Sequence, residues 1–141
     1  PLFLSYYFLG IPKEIKTKAM LTKEGVDAQL SMILSYANAQ ALLYSSFRHD
    51  ENMGATICGE KGEIYMNSRW HEATEVKLVK QGNELIKTFD FFGLGYTYEI
   101  EEANTCFRTN KTQSSKWTWQ NSKDMVLLMD EIRMQNGIHY P

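Results

Sequence analysis

Residues 91–103 read FFGLGYTYEIEEA, a Gly-x-Gly set between two phenylalanines and a stretch with helical spacing. Glycines that open a helix matter chemically, because backbone N–H groups at a helix N-terminus can cradle a phosphate. The dinucleotide-binding version also needs a βαβ unit, a third glycine and an acidic residue about twenty positions on. Here Tyr98 stands where the third glycine would fall, and the strand before Gly93 closes an antiparallel series with no parallel strand after it. The pair therefore reads as a strand-to-helix connection. The three histidines add little. His49 lies in Arg48-His49-Asp50-Glu51, His71 follows Trp70 in a predicted loop, and His139 is in the tail, none with a ligating neighbour at helical or hairpin spacing. Cys58 and Cys106 form no CxxC pattern and are expected as two buried thiols in a reducing, cytoplasmic setting. Glu99, Glu101 and Glu102 read as the solvated first turns of a helix, where the dipole favours acids. No catalytic, cofactor-binding or metal-binding residue is assigned in this chain. What remains is a surplus of aromatics in or beside predicted loops: Trp70, Phe91, Phe92, Tyr96, Trp117 and Trp119. Such residues line apolar pockets or interfaces, against a default of core packing.

The elements that must position them follow from periodicity. Pro1 to Gly10 reads as the end of a helix, apolar almost all round and so expected to be buried, with Pro12 preventing continuation. From Glu14 to Phe91 the period is two. Ile15, Thr17, Ala19 and Leu21 alternate with polar residues, as do Ala28, Leu30, Met32, Leu34 and Tyr36. A hairpin partner spans Gln40 to Arg48, two short strands flank Gly59-Glu60-Lys61-Gly62, and another hairpin turns at Gln81-Gly82-Asn83. Helical spacing returns after Gly95, with Tyr96, Ile100, Ala103 and Phe107 on one stripe. A polar loop, 110–120, precedes a last helix capped by Asn121 or Ser122, its buried stripe formed by Met125, Val126, Leu128, Met129 and Ile132. The predicted fold is α+β: an open, mostly antiparallel sheet of about six or seven strands with helices packed on one face.

Composition narrows the function classes. The chain has 141 residues, 43% apolar and 23% charged, the profile of one globular domain. A net charge of −2 with scattered lysines and arginines gives no footprint for nucleic acid or a membrane surface. The most apolar run, PLFLSYYFLG, is too short to span a bilayer.

Several stretches together carry a resemblance. Gly25-Val26-Asp27, LSMILSYANAQALLYSSF, ICGEKGEIYM, GYTYEIEEANTCFR and SKDMVLLMDEIRMQNGIHYP occur in this order over essentially the whole chain. The series resembles the C-terminal domain of the Gfo/Idh/MocA oxidoreductases, with the dihydrodiol dehydrogenase-like branch as the best fit. That resemblance implies a longer enzyme whose Rossmann domain binds NAD or NADP and whose catalytic lysine lies in the nucleotide-binding half. Residues 1–141 would then be a single substrate and oligomerisation domain, a homo-oligomer through its sheet face, inactive alone and binding no cofactor. Trp70 matches a tryptophan that lines the family's substrate pocket. The aromatic segment before Gly93 matches a second pocket-lining stretch, which leaves Phe89, Phe91 and Phe92 as alternatives for the family phenylalanine. The substrate-binding candidates are Trp70, Phe91, Phe92 and Tyr96, and the substrate implied is a sugar, polyol or related hydroxyl compound. The competing reading is a free-standing, non-catalytic α+β module that acts through its sheet face or loop aromatics.

Overall fold

The structure, a computed structural model, describes residues 1–50, 52–90, 92–93 and 95–139. Its helices are α1 (Leu2–Leu9), α2 (Tyr96–Arg108) and α3 (Trp119–Asn136). Its strands are β1 (Glu14–Leu21), β2 (Asp27–Ser35), β3 (Gln40–Ser46), β4 (Ala55–Gly59), β5 (Gly62–Met66), β6 (Glu75–Lys80) and β7 (Asn83–Thr88). The fold is α+β and every strand pairing is antiparallel. The strands divide between two open sheets, ordered β1-β2-β3 and β4-β5-β6-β7. The chain correspondingly forms two compact units, residues 1–50 with 115–141, and residues 51–114.

The first unit holds the core. Register places Ile15 opposite Leu34 and Thr17 opposite Met32, so the apolar members of the alternation share one face. Leu34 is fully buried there among Tyr6, Ile15, Met32, Leu128 and Ile132, so α1 and α3 cover the same side of the sheet. Lys16, Ile33 and Leu42 stand in register on the opposite face. The last turn of α3 also reaches the outer edge of β1. Asn136 Oδ1 accepts the Ala19 N–H at 2.6 Å and Gln135 Nε2 donates to the Ile15 carbonyl at 2.9 Å. Those side chains satisfy main-chain groups that would otherwise be an open pairing edge.

The α3 N-terminus differs from the sequence expectation. Thr118 is the cap, its hydroxyl accepting the Asn121 N–H at 3.3 Å while Asn121 Oδ1 accepts the Thr118 N–H at 2.7 Å. Asn121 is thus the third helical residue of a capping box, and Trp119 is helical instead of lying in a loop. On the expected stripe Leu128 and Ile132 are buried, whereas Val126 is exposed. α1 is likewise buried on only one flank: Ser5 and Tyr6 are buried, while Phe3, Tyr7, Phe8 and Leu9 are exposed. An apolar perimeter states what a helix could bury, and here the sheet and α3 cover only the Tyr6 side.

Tyr6 ties α1 to α3. Its hydroxyl donates to Asp124 at 2.8 Å and accepts from Asn121 at 3.0 Å. The Asn121 hydrogen bond favours the phenolate, but burial together with the Asp124 hydrogen bond and charge outweighs it, so the Tyr6 pKa is raised. A proton held more tightly in the folded state gives stability that is present below the ordinary tyrosine pKa and is lost as pH rises through the folded value. Tyr6→Phe is expected to cost about 1–2 kcal/mol at neutral pH, by leaving the half-buried Asn121 and Asp124 side chains short of a hydrogen bond. It should also flatten part of the alkaline loss. Urea midpoints across a pH series check both, and an unchanged alkaline slope would refute the second.

The second unit is built of hairpins. β4 and β5 join through Glu60-Lys61, and Gly62 is required because a Cβ there would sit 2.5 Å from the Val79 carbonyl oxygen. β6 and β7 join through Gln81 (φ 50) and Gly82 (φ 78), the left-handed pair of a two-residue type I′ turn. One face of this sheet is the row Ile57, Ile64, Leu78 and Leu85, and the other carries Cys58, Glu63, Tyr65, Lys77 and Glu84. The expectation of two buried thiols therefore fails for Cys58, which is exposed, and holds for Cys106. Cys58 sits on the polar side of the ladder, opposite Glu63.

The stripe expected to bury α2 is also outward. Tyr96, Ile100, Ala103 and Phe107 are exposed, Phe107 at 84%, while Cys106 is buried. The loop after the helix folds back over the other side. Lys111 N–H donates to the Cys106 carbonyl at 2.9 Å and the Ser114 hydroxyl to Glu102 at 2.6 Å. Local hydrogen bonds chose the covered face.

Candidate substrate-side surface

All the candidate site residues lie in the second unit. Trp70 begins a short 3₁₀ turn, Trp70–Glu72, after β5. The chain enters that turn through Arg69 in the left-handed region (φ 59, ψ 55), a conformation that costs energy for a residue with a side chain. Neighbouring contacts hold it there. Arg69 Nη2 pairs with Glu72 Oε1 at 2.6 Å, and the Trp70 N–H donates to the Met53 carbonyl at 3.0 Å. The His71 ring meets Trp70 edge-on at 5.5 Å and lies 3.7 Å from Glu72. Trp70 is thus half-buried on a turn clamped at both ends.

Phe92 is 72% exposed, and Tyr96, the first residue of α2, is 67% exposed. Phe91 falls outside the described residues. Among the described residues no ring contact joins Trp70 to Phe92 or Tyr96. Each is an exposed or half-exposed aromatic on its own segment, and the structure brings them together only in the sense of one unit. Phe89, the other alternative for the pocket phenylalanine, lies under the Lys87 ammonium, 5.2 Å from its ring centre. Trp117, a loop aromatic in the sequence, is instead structural. It packs on Phe3 at 5.0 Å and Tyr6 at 5.6 Å in the first unit, and its Nε1–H donates to Ser122 at 3.0 Å.

The polar face of the four-stranded sheet was not singled out by sequence. Tyr65 donates to Glu63, Lys77 lies 5.3 Å over the Tyr65 ring, and Lys77 Nζ pairs with Glu84 at 3.1 Å. The hydrogen bond to Glu63 raises the Tyr65 pKa. Strand parity in GEIYM and EVKLVK was the available signal, since it puts Glu63, Tyr65 and Lys77 on one side.

The Gly93–Gly95 connection does not fit a dinucleotide cradle. It leaves an antiparallel hairpin, and a Cβ on Gly93 would meet Thr97 Oγ1 at 2.6 Å, so the glycine is there for close packing onto the helix. The Phe92 N–H is already taken by the Tyr98 hydroxyl at 3.1 Å, which itself donates to the Asp90 carbonyl at 3.3 Å. No step of nicotinamide chemistry is assigned to these residues. Among the described residues no group of three histidine, cysteine or acidic side chains could hold a metal ion, and no helix is long and apolar enough to cross a membrane.

No family model matches the chain. A scyllo-inositol 2-dehydrogenase (NADP(+)) of Bacillus subtilis is 32% identical over 133 residues, which is 94% of this chain and 40% of that protein. A trans-1,2-dihydrobenzene-1,2-diol dehydrogenase of Xenopus tropicalis is 30% identical over 149 aligned positions, 99% of this chain and 44% of that protein. The chain is a relative of the Gfo/Idh/MocA-type dehydrogenases. It spans less than half the length of the curated relatives it matches. Solved structures agree on the fold of this Gfo/Idh/MocA relative. A UDP-N-acetylglucosamine 3-dehydrogenase from Acidithiobacillus ferrooxidans superposes with a TM-score of 0.81 at 10% identity, over 96% of this chain and 44% of that one. A 3-ketoreductase from Actinomadura kijaniata, solved with TDP-benzene and NADP, gives 0.79 at 16% identity over 100% of this chain and 46% of that one.

Proposed function

We propose that the chain is the C-terminal, substrate-side part of an NAD(P)-dependent oxidoreductase that moves hydride between nicotinamide and a hydroxyl-bearing carbon of a sugar, polyol or related compound. The observation that carries this is the 32% identity to an inositol dehydrogenase across 94% of the chain, joined by 30% identity to a dihydrodiol dehydrogenase across 99%. In such an enzyme the cofactor supplies the redox chemistry and the protein supplies orientation. The role proposed for this chain is to shape the substrate side, with Trp70 on its clamped turn as the aromatic wall and Phe91, Phe92 and Tyr96 as further candidates. The nucleotide site and the proton-transferring lysine are assigned to the rest of the longer protein, in keeping with the 40–44% share of the relatives that this chain covers. Self-association through the outer face of the three-stranded sheet, where Met20, Ile33 and Leu42 are exposed, belongs to the same proposal. So does a cytoplasmic location, which suits two free cysteines.

Two measurements test it. The complete open reading frame, expressed and supplied with NAD or NADP, should oxidise cyclic polyols or sugars, whereas the 141 residues alone should show neither turnover nor heat of NAD(P) binding in calorimetry. Micromolar binding of NADP by the isolated chain would refute the division of labour. A complete reading frame with no dinucleotide-binding unit would favour the non-catalytic module.

A further inference from the structure

We propose that the free edge of β7 pairs with β7 of a second copy of this chain, antiparallel, about a two-fold axis through Ile86. β7 is the last strand of its sheet, and all six of its residues are exposed, Leu85 at 63% and Ile86 at 52%. The two-residue turn makes Lys80 and Asn83 the first hydrogen-bonded pair of the hairpin, so Asn83, Leu85 and Lys87 bond to β6. The next step of the ladder agrees, with the Phe89 N–H donating to the Thr74 carbonyl at 2.8 Å. Glu84, Ile86 and Thr88 therefore turn their N–H and C=O groups away from the sheet. The strand has no proline, and its register with β6 runs without a bulge. The contrast with β1 is direct, since side chains of α3 occupy that edge at Ile15 and Ala19. Open edges of this kind are templates for another strand.

The sequence NELIKT suits its own reverse. With Ile86 on the axis, the outward groups of Glu84, Ile86 and Thr88 meet those of Thr88, Ile86 and Glu84 in the second copy. On one face Ile86 meets Ile86, and the Thr88 hydroxyl meets the Glu84 carboxylate. On the other, Leu85 lies under the aliphatic stem of Lys87. No two like charges stand directly opposite, and each cross-strand pair is of a stabilising type. The result is a continuous eight-stranded sheet, made through an edge and so distinct from association through the sheet face proposed above.

The test reads amide exchange by NMR on the 141-residue chain over a concentration series, with sedimentation for mass. Exchange at Glu84, Ile86 and Thr88 is expected to slow as the chain associates. Ile86→Pro removes the donor on the axis without touching the β6 ladder, and is expected to weaken association at least about tenfold. Exchange that stays fast at these three positions at every concentration would overturn the pairing, and so would association indifferent to Ile86→Pro. If Ile86→Pro fails to fold by circular dichroism, the exchange series on the unmodified chain decides alone. Leu42→Asp separates the two surfaces. Slowed exchange at Ile86 that persists in Leu42→Asp supports the edge, whereas slowing that vanishes there and survives Ile86→Pro assigns association to the sheet face.

Discussion

Leu34→Ala is expected to lower the unfolding free energy by about 2–5 kcal/mol, the cost of lost transfer energy plus the cavity left behind. Leu34 is fully buried near the end of β2, the middle strand of its sheet, with Ile15 of β1 and Ala41 of β3 in register on either side. Both neighbours are fixed by ladder hydrogen bonds, and α3 lies across them through Leu128 and Ile132. The site therefore has little freedom to collapse, which places the substitution toward the costly end. Leu34→Met, which conserves volume, should cost less than about 1.5 kcal/mol. Urea unfolding followed by circular dichroism measures both, and a loss under about 1 kcal/mol for the alanine variant would contradict this account of the core.

Trp70→Ala, made in the complete enzyme, is expected to reduce kcat/KM for the hydroxyl substrate by roughly thirtyfold, the equivalent of about 2 kcal/mol for truncating a rigid aromatic anchor. Under the proposed division of labour nicotinamide affinity should not move. Trp70→Phe should recover most of the loss. Glu72→Gln should have a smaller effect in the same direction, since it keeps the size of the side chain that pairs with Arg69 but weakens the pairing that holds the left-handed residue. Steady-state kinetics with the relatives' substrate classes decides, and an unchanged kcat/KM for Trp70→Ala would remove Trp70 from the proposed pocket.

Much of this architecture is legible in the sequence because local rules and tertiary outcome agree there. Alternation in Ala28–Tyr36 marks the face that Leu34 buries, the hairpin expected to turn at Gln81-Gly82-Asn83 turns through Gln81 and Gly82, and the stripe through Leu128 and Ile132 meets the sheet. What is not legible is who covers whom. The helical spacing of Tyr96, Ile100, Ala103 and Phe107 is real, yet the loop 109–114 satisfies Cys106 and Glu102 and takes the other side. The expected burial of Cys58 and of the whole α1 perimeter fails for the same reason: periodicity describes one element, whereas burial is a property of two. The candidate residues Trp70, Phe91, Phe92 and Tyr96 come from their places in or beside loops and from the resemblance, and their role belongs to the proposal. Arg69's left-handed turn depends on a φ value that residue order does not display, whereas the side shared by Glu63, Tyr65 and Lys77 was open to a parity reading.

The first unit is discontinuous: residues 51–114 interrupt it between β3 and α3. Order of synthesis follows from that. When β1, β2 and β3 have left the ribosome, the helix that supplies Leu128 and Ile132 has not been made, and neither have the side chains that close the β1 edge. The nascent sheet must wait with Leu34 covered from α1 alone while a whole second unit is polymerised. Closing an intervening loop of that size costs on the order of 3–4 kcal/mol of chain entropy, less to the extent that the second unit folds first and shortens it. Early folding of the hairpins β4–β5 and β6–β7, all local pairings, would therefore hasten completion of a core to which they contribute no residue.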